Sequence, residues 1–335
     1  LSDLSSYIEA KLDSEQANLL VEFAQQYYQA VIFEDLDKVA IEDLYGAVLS
    51  HWNLALEFSV EQKIKVYNPT IAEHGWQSKH TIVEIVVKDM PFLLQSVCME
   101  VNRYGYTNHL VLHPIYSINR DSKGHFKSFS DDESLNECLI HLEIDRQGSV
   151  NAMDKLKGSL AKVITDVKAS TEDWSTCLAQ MQTVIDELKQ NSSEYESIAD
   201  EVKFLQWIHD NHFVFLAYRE YQIIKKDNTI GSKAIPGTGL GVLRDSIATI
   251  PDEQVIPMAE DAYNVVNTSQ PLMITKATSR ATVHRPVFMD YIGIKQYDDV
   301  GDVIGEKRFL GLYSSTAYSC LIKEIPMVST KIKQL

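Results

Sequence analysis

The sequence predicts an α+β chain: a helical N-terminal segment, then a ferredoxin-like βαββαβ domain, then a second, β-rich domain. Three observations predict it. Thr81–Ile118 reads as strand, sharp turn, helix and strand with almost no slack. Residues 1 to about 68 carry apolar side chains at helical spacing. Beyond about residue 213 that period gives way to β-rich runs separated by Gly- and Pro-bearing loops.

In the first segment Leu19, Phe23 and Tyr27 fall four apart, and Leu44, Val48 and Trp52 repeat the pattern, with Glu, Asp and Gln on the other faces. Asn68-Pro69 and His74-Gly75 mark a connecting loop, so the helical segment spans 1–75. Thr81–Val87 is rich in β-branched residues, as a strand covered on both faces would be. Asp89-Met90-Pro91 stops it: Pro lacks a ladder N–H but suits a first helical turn, where Asp89 can cap. Leu93, Leu94, Val97, Val101 and Tyr104 follow at helical spacing, Gly105 ends the helix, and Tyr106–Ile118 returns as strand. A βαβ unit with a small acidic-Pro turn suggests a regulatory or ligand-sensing module more than a catalytic centre.

Asn119–Asn136 is polar and reads as loop; Cys138–Ile144 alternates as a strand with one wet face would; Val150–Val167 is a helix. The order is β-α-β-β-α, and the last strand of the sandwich has no evident place in the sequence. A helix at Trp174–Leu188 completes the segment 76–190. Ser193 and Glu196 form a capping box for a helix carrying Ile198, Val202, Leu205 and Ile208. Strands are expected at Phe213–Ile224, Leu272–Thr275, Val287–Tyr297 and Lys307–Tyr313, with a hairpin at Asp298–Gly301, giving a third segment 191–320 and a linker from 321 to 335.

Composition narrows the function. The 335 residues carry 47 acidic against 31 basic side chains, a net charge of −16, which repels phosphate backbones and argues against nucleic acid as partner. No run approaches the roughly 20 apolar residues of a membrane span. The start, Leu-Ser-Asp-Leu-Ser, has neither an initiator Met nor a signal region, so a trimmed, cytoplasmic chain is expected. Cys98, Cys138, Cys177 and Cys320 form no CxxC pair and read as reduced core thiols.

Gly237-Thr238-Gly239-Leu240-Gly241 has the glycines of a phosphate loop. It follows Ile235-Pro236 and runs into extended-looking Val242-Leu243-Arg244, so a tight turn or bulge is the better reading. His109, His113, His125 and His141 raise metal binding. On one strand, however, a spacing of four separates His109 from His113 by about 13 Å, and no metal site is assigned. Arg280, His284 and Arg285 make the best local basic group, suited to docking an acidic neighbouring domain. No catalytic constellation and no cofactor-binding motif emerges.

The blocks His74-Gly75-Trp76, Asp89-Met90-Pro91-Phe92-Leu93 and His113-Pro114 resemble the N-terminal part of the large bacterial NAD-dependent glutamate dehydrogenases. So do Asp210-Asn211-His212-Phe213 through Glu220, Gly239–Arg244, and Arg285-Pro286-Val287-Phe288 through Tyr313. The resemblance covers nearly the whole chain in order. It implies a region of ACT-like domains, non-catalytic itself, serving a parent enzyme that uses NAD and whose catalytic domains lie beyond Leu335. These catalytic domains and further copies of the chain are the expected partners. The resemblance also implies an amino-acid effector at Asp89, Met90, Pro91, Phe92 and Leu93, in the first strand–helix turn. There the family pattern has Gly in place of Phe92, and Asp89 would repel a carboxylate; capping and packing account for these residues better.

Overall fold

Apolar side chains three and four apart wind the start of the chain into α1 (Ser2–Lys11), α2 (Ser14–Tyr27) and α3 (Ile41–Ala55). The Asp13 carboxylate caps α2 by accepting from the Gln16 N–H. A computed structural model of the chain describes residues 1–31, 38–58, 61–191, 198–226, 229–246, 254–257 and 270–327. They divide into two compact units, 1–165 and 166–335. The expected capping box at Ser193 and Glu196 and the end of the 321–335 linker lie outside the described residues.

In the first unit β1 (Gln62–Tyr67) and the short α4 (Ile71–His74) lead to β2 (Thr81–Lys88), α5 (Leu93–Arg103), β3 (Asn108–Leu112), β4 (Ile115–Arg120), β5 (Phe126–Phe129), β6 (Asn136–Ile144) and α6 (Val150–Glu172). The sheet is antiparallel, in the order β1-β2-β6-β4-β5, with β3 also on β6. Seven of the eight residues of β2 are buried, so both faces are covered. Val86 and Leu139, opposite each other on β2 and β6, join the core of α1–α3 with Phe23, Val48 and Trp52. Val83, Ile85 and Val87 pair with Leu142, Ile140 and Cys138 on the other face, and α5 and α6 bury Leu93, Val97, Leu156 and Leu160.

Four expectations need correction here. Gln62–Tyr67 is strand, not helix: Ile64 and Val66 alternate with lysines, and all six residues pair with β2. It forms the edge of the sheet beside β2, from before the strand–helix–strand unit rather than after it. Tyr106–Ile118 is two strands, broken at His113-Pro114, where Pro offers no ladder N–H. The tract Asn119–Asn136 contains β5, whose Phe126 and Phe129 pack on Trp52. Cys138–Ile144 has no wet face, because α1–α3 cover the side carrying His141, which is 1% exposed.

The second unit begins within α6 and continues with α7 (Trp174–Asn191), α8 (Ala199–Trp207), β7 (Phe213–Lys226), β8 (Thr229–Ala234), β9 (Leu240–Gly241), β10 (Ile256–Pro257), β11 (Leu272–Arg280), β12 (Phe288–Tyr297), β13 (Val303–Tyr313) and α9 (Ser315–Ser319). Its antiparallel order is β10-β8-β7-β13-β12-β11, with β9 on β7. Phe215, Tyr218, Ile292, Ile294 and Phe309 form one core with Met181, Ile185 and Leu205 of α7 and α8. The hairpin at Asp298–Gly301 is present: the Asp298 N–H donates to Asp302 O, and its carboxylate accepts from the Val300 and Asp302 N–H groups.

Candidate functional site

The turn from β2 to α5 places the expected effector residues at one end of the first sheet. Asp89 and Pro91 are exposed, Met90 and Phe92 half-buried, and Leu93 buried. Asp89 does not cap the helix. Phe92 is the N-cap, no side chain bonds to the first helical N–H groups, and the Asp89 N–H is spent on Asn136 O. Phe92 sits at φ 67°, a left-handed conformation that suits Gly and strains a bulky side chain. The backbone thus keeps the shape of a Gly-bearing turn while carrying a ring. Ser96 reinforces it, donating through both N and Oγ to Phe92 O.

Two further groups meet this turn. His113, at the break between β3 and β4, and Cys138, opposite Val87 on β6, join Asp89: one ligand atom from each lies within 4.8 Å of the other two. Burial lowers the pKa of His113 against the raising effect of Asp89, and burial with the Asp89 charge pushes the Cys138 thiol up. Sequence spacing could not find this set, since its members come from three elements. The other histidines do not share it. His109 bonds Asp145 and stacks on His80 with ring centroids 4.2 Å apart; His125 bonds Asp121.

Buried polar groups gather under α3. Glu84 is fully buried and accepts from Tyr67 and Ser50, with Lys65 Nζ at 3.9 Å; burial pushes its pKa up to about 7. His51 donates to Ile85 O and meets Tyr27 Oη through Nδ1; desolvation, with His141 nearby, brings its pKa down to about 3. His141 falls to about 4 for the same first reason. A cavity of about 610 Å³ in this unit is lined by Lys38, Lys79, Asp43, His141 and Glu143 among apolar walls that include Trp76.

In the second unit Arg280 bonds Pro286 O and lies 4.5 Å over the Phe288 ring, while Arg285 bonds Tyr313 O. His284 is half-buried at φ 72° between them in sequence. Arg280 therefore spends part of its bonding on its own β11–β12 hairpin, and Arg285 on the end of β13. The glycine segment 237–241 is a turn closing on β7. Gly241, at φ 61°, comes so near Leu216 O that a Cβ would lie 2.0 Å from it. Its N–H groups face carboxylates of this chain: Gly241 donates to Asp173 and Gly237 to Asp245. Arg244 and Arg219 close these contacts from the other side. The cradle that would suit a phosphate is filled internally.

Comparison with known proteins shows what the chain is similar to. Residues 23–160 match the glutamate dehydrogenase ACT1 domain. The NAD-specific glutamate dehydrogenase of Halomonas elongata is 32% identical over 99% of this chain and 21% of its own length. That of Pseudomonas aeruginosa is 32% identical over 93% and 20%, and that of Mycobacterium tuberculosis 22% identical over 75% and 15%. The chain spans about a fifth of the length of these first two relatives. No helix among the described residues is long and apolar enough to cross a membrane. With near-complete coverage of this sequence by such relatives, the chain fits an N-terminal region of the NAD-specific glutamate dehydrogenases.

Proposed function

We propose that this chain is the regulatory and assembly region of a large, cytoplasmic NAD-dependent glutamate dehydrogenase. In this reading the segments 76–190 and 191–320 are the two ACT-like domains, and the chain contains no part of the catalytic centre. The parent enzyme converts L-glutamate, NAD and water to 2-oxoglutarate, ammonia and NADH in the rest of the polypeptide. The observation that carries this reading is the match of the whole chain to only a fifth of longer, NAD-specific relatives. Assembly would use sheet edges. β11 ends the second sheet, and most of its residues are exposed, Ile274 among them. The basic group Arg280, His284 and Arg285, at the end of that strand, is the docking surface for an acidic catalytic domain. Sedimentation of this chain should show a concentration-dependent oligomer that Ile274→Lys dissociates. A monomer at every concentration removes the assembly role, and NADH formation from glutamate by this chain alone removes the non-catalytic one.

A second reading, amino-acid sensing, is favoured by the 610 Å³ cavity, whose lining offers both signs of charge to a zwitterion. Melting with a panel of amino acids tests it. Saturation at 100 times the dissociation constant stabilises by about 2.7 kcal/mol, and flat curves across the panel leave assembly alone.

A further inference from the structure

We propose that Asp89, His113 and Cys138 form a binding site for a zinc-class transition-metal ion, linking the β2–α5 turn to the β3–β4 break. The donor set is the first support. One carboxylate oxygen, one imidazole nitrogen and one thiol sulfur converge within 4.8 Å of one another, a mixture that suits zinc or cobalt and not calcium or magnesium. Tetrahedral zinc with bonds of about 2.0–2.3 Å needs ligand atoms roughly 3.3–3.7 Å apart. A contraction of about 1 Å closes the set, within reach of a side-chain rotation at exposed Asp89 and half-buried His113.

Position is the second support. Cys138 is held rigidly on β6, paired with Val87 on one side and Ile115 on the other. The flanking ligands come from the first residues past β2 and β3, so the sheet itself sets their separation. Among the described residues, no hydrogen bond or ion pair engages the Asp89 carboxylate, the His113 ring or the Cys138 thiol. The exposed histidines among the described residues, His109 and His125, each have an aspartate partner. The exposed carboxylate gives the ion an entry path, while the sulfur is shielded from solvent. On binding, a metal–sulfur bond forms and the thiol proton leaves to solvent; no electrons move. Three protein ligands leave a fourth position for water or for a small donor ligand.

Cobalt(II) titration of this chain reads the site directly. The expected result is a thiolate-to-cobalt charge-transfer band in the near ultraviolet, with tetrahedral visible bands, displaced by zinc. Cys98→Ser should leave the band intact, since Cys98 lies outside the set. Asp89→Asn and His113→Gln, both at accessible positions, should each weaken binding by at least about tenfold, and Cys138→Ala should abolish the band. Cys138 is a core residue, so the two accessible variants decide the matter if Cys138→Ala does not fold. Absence of the band, or a band that persists unweakened in Asp89→Asn and His113→Gln, overturns the site.

Discussion

The two units solve the burial of a sheet in different ways. In the first, β2 and β6 are sandwiched between helical layers, and apolar side chains fill most of both faces. In the second, apolar packing is concentrated where α7 and α8 lie, and paired charges are buried elsewhere on the sheet. Glu306 is 1% exposed and bonds Tyr291 and Arg308; Arg308 in turn stacks on Tyr221, 3.8 Å from the ring. Arg219, 2% exposed, pairs with Asp245. A wholly covered sheet gains from volume filled. One that buries ions depends on every ion keeping its partner, because a lone buried charge is far costlier than a pair.

Substitutions can break that contrast. The largest loss is expected from Phe309→Ala, about 4 kcal/mol, because the ring is fully buried against Phe215 and Tyr218. Ile140→Ala, the counterpart in the first unit, should cost about 3 kcal/mol, measured by denaturant titration. Hydrogen exchange should show each cavity loosening strands of its own unit. Glu306→Ala should cost about 3 kcal/mol by stranding Arg308, whereas Glu306→Ala combined with Arg308→Met should recover part of the loss. A double variant no better than the single one would mean that packing, not charge, holds that face. Asp173→Ala removes the acceptor for Gly241 and Arg244 and should cost about 1–2 kcal/mol.

The smallest effect is one of slope. His51 and His141 stay neutral in the fold down to about 3 and 4, against 6.5 when exposed, so the unfolded chain binds more protons between those values. They make stability rise with pH up to about 6.5. Glu84, raised by burial from 4.5 to about 7, does the reverse, binding a proton in the fold that the unfolded chain has released. Its contribution is therefore lost as pH climbs from 4.5 to 7. Glu84→Gln should steepen the rise in stability across that window, and an unchanged pH profile would show that the carboxylate does not titrate there.

The strand–helix–strand core of the first unit was legible because its signals are local: the β-branched run at Thr81–Val87, the helical spacing from Leu93, and Gly105 at φ 78° ending α5. Four strands of the second unit, β7, β11, β12 and β13, were found by the same means, all but β12 shorter than they are, while β8, β9 and β10 were not expected. β1 was missed because Gln62, Lys63 and Lys65 dilute its two β-branched residues, and its identity depends on a partner fifteen or more residues away. His141 was assigned to water because alternation reports a face without reporting what covers it. The three donors at the effector turn were invisible for a related reason. Asp89, His113 and Cys138 are brought together only by strand order, and His113 had been weighed solely against histidines near it in sequence.

The early placement of β1 has a practical outcome for anyone dissecting this protein. Excising the module at residue 76, where the loop invites a cut, would strip six residues of ladder from β2. The newly bared N–H and C=O groups lie along one of the most apolar stretches of the chain, a template for sticking to other copies. A soluble fragment therefore has to start upstream of Gln62, and the helices α1–α3 are best kept with it as the lid over Val86 and Leu139.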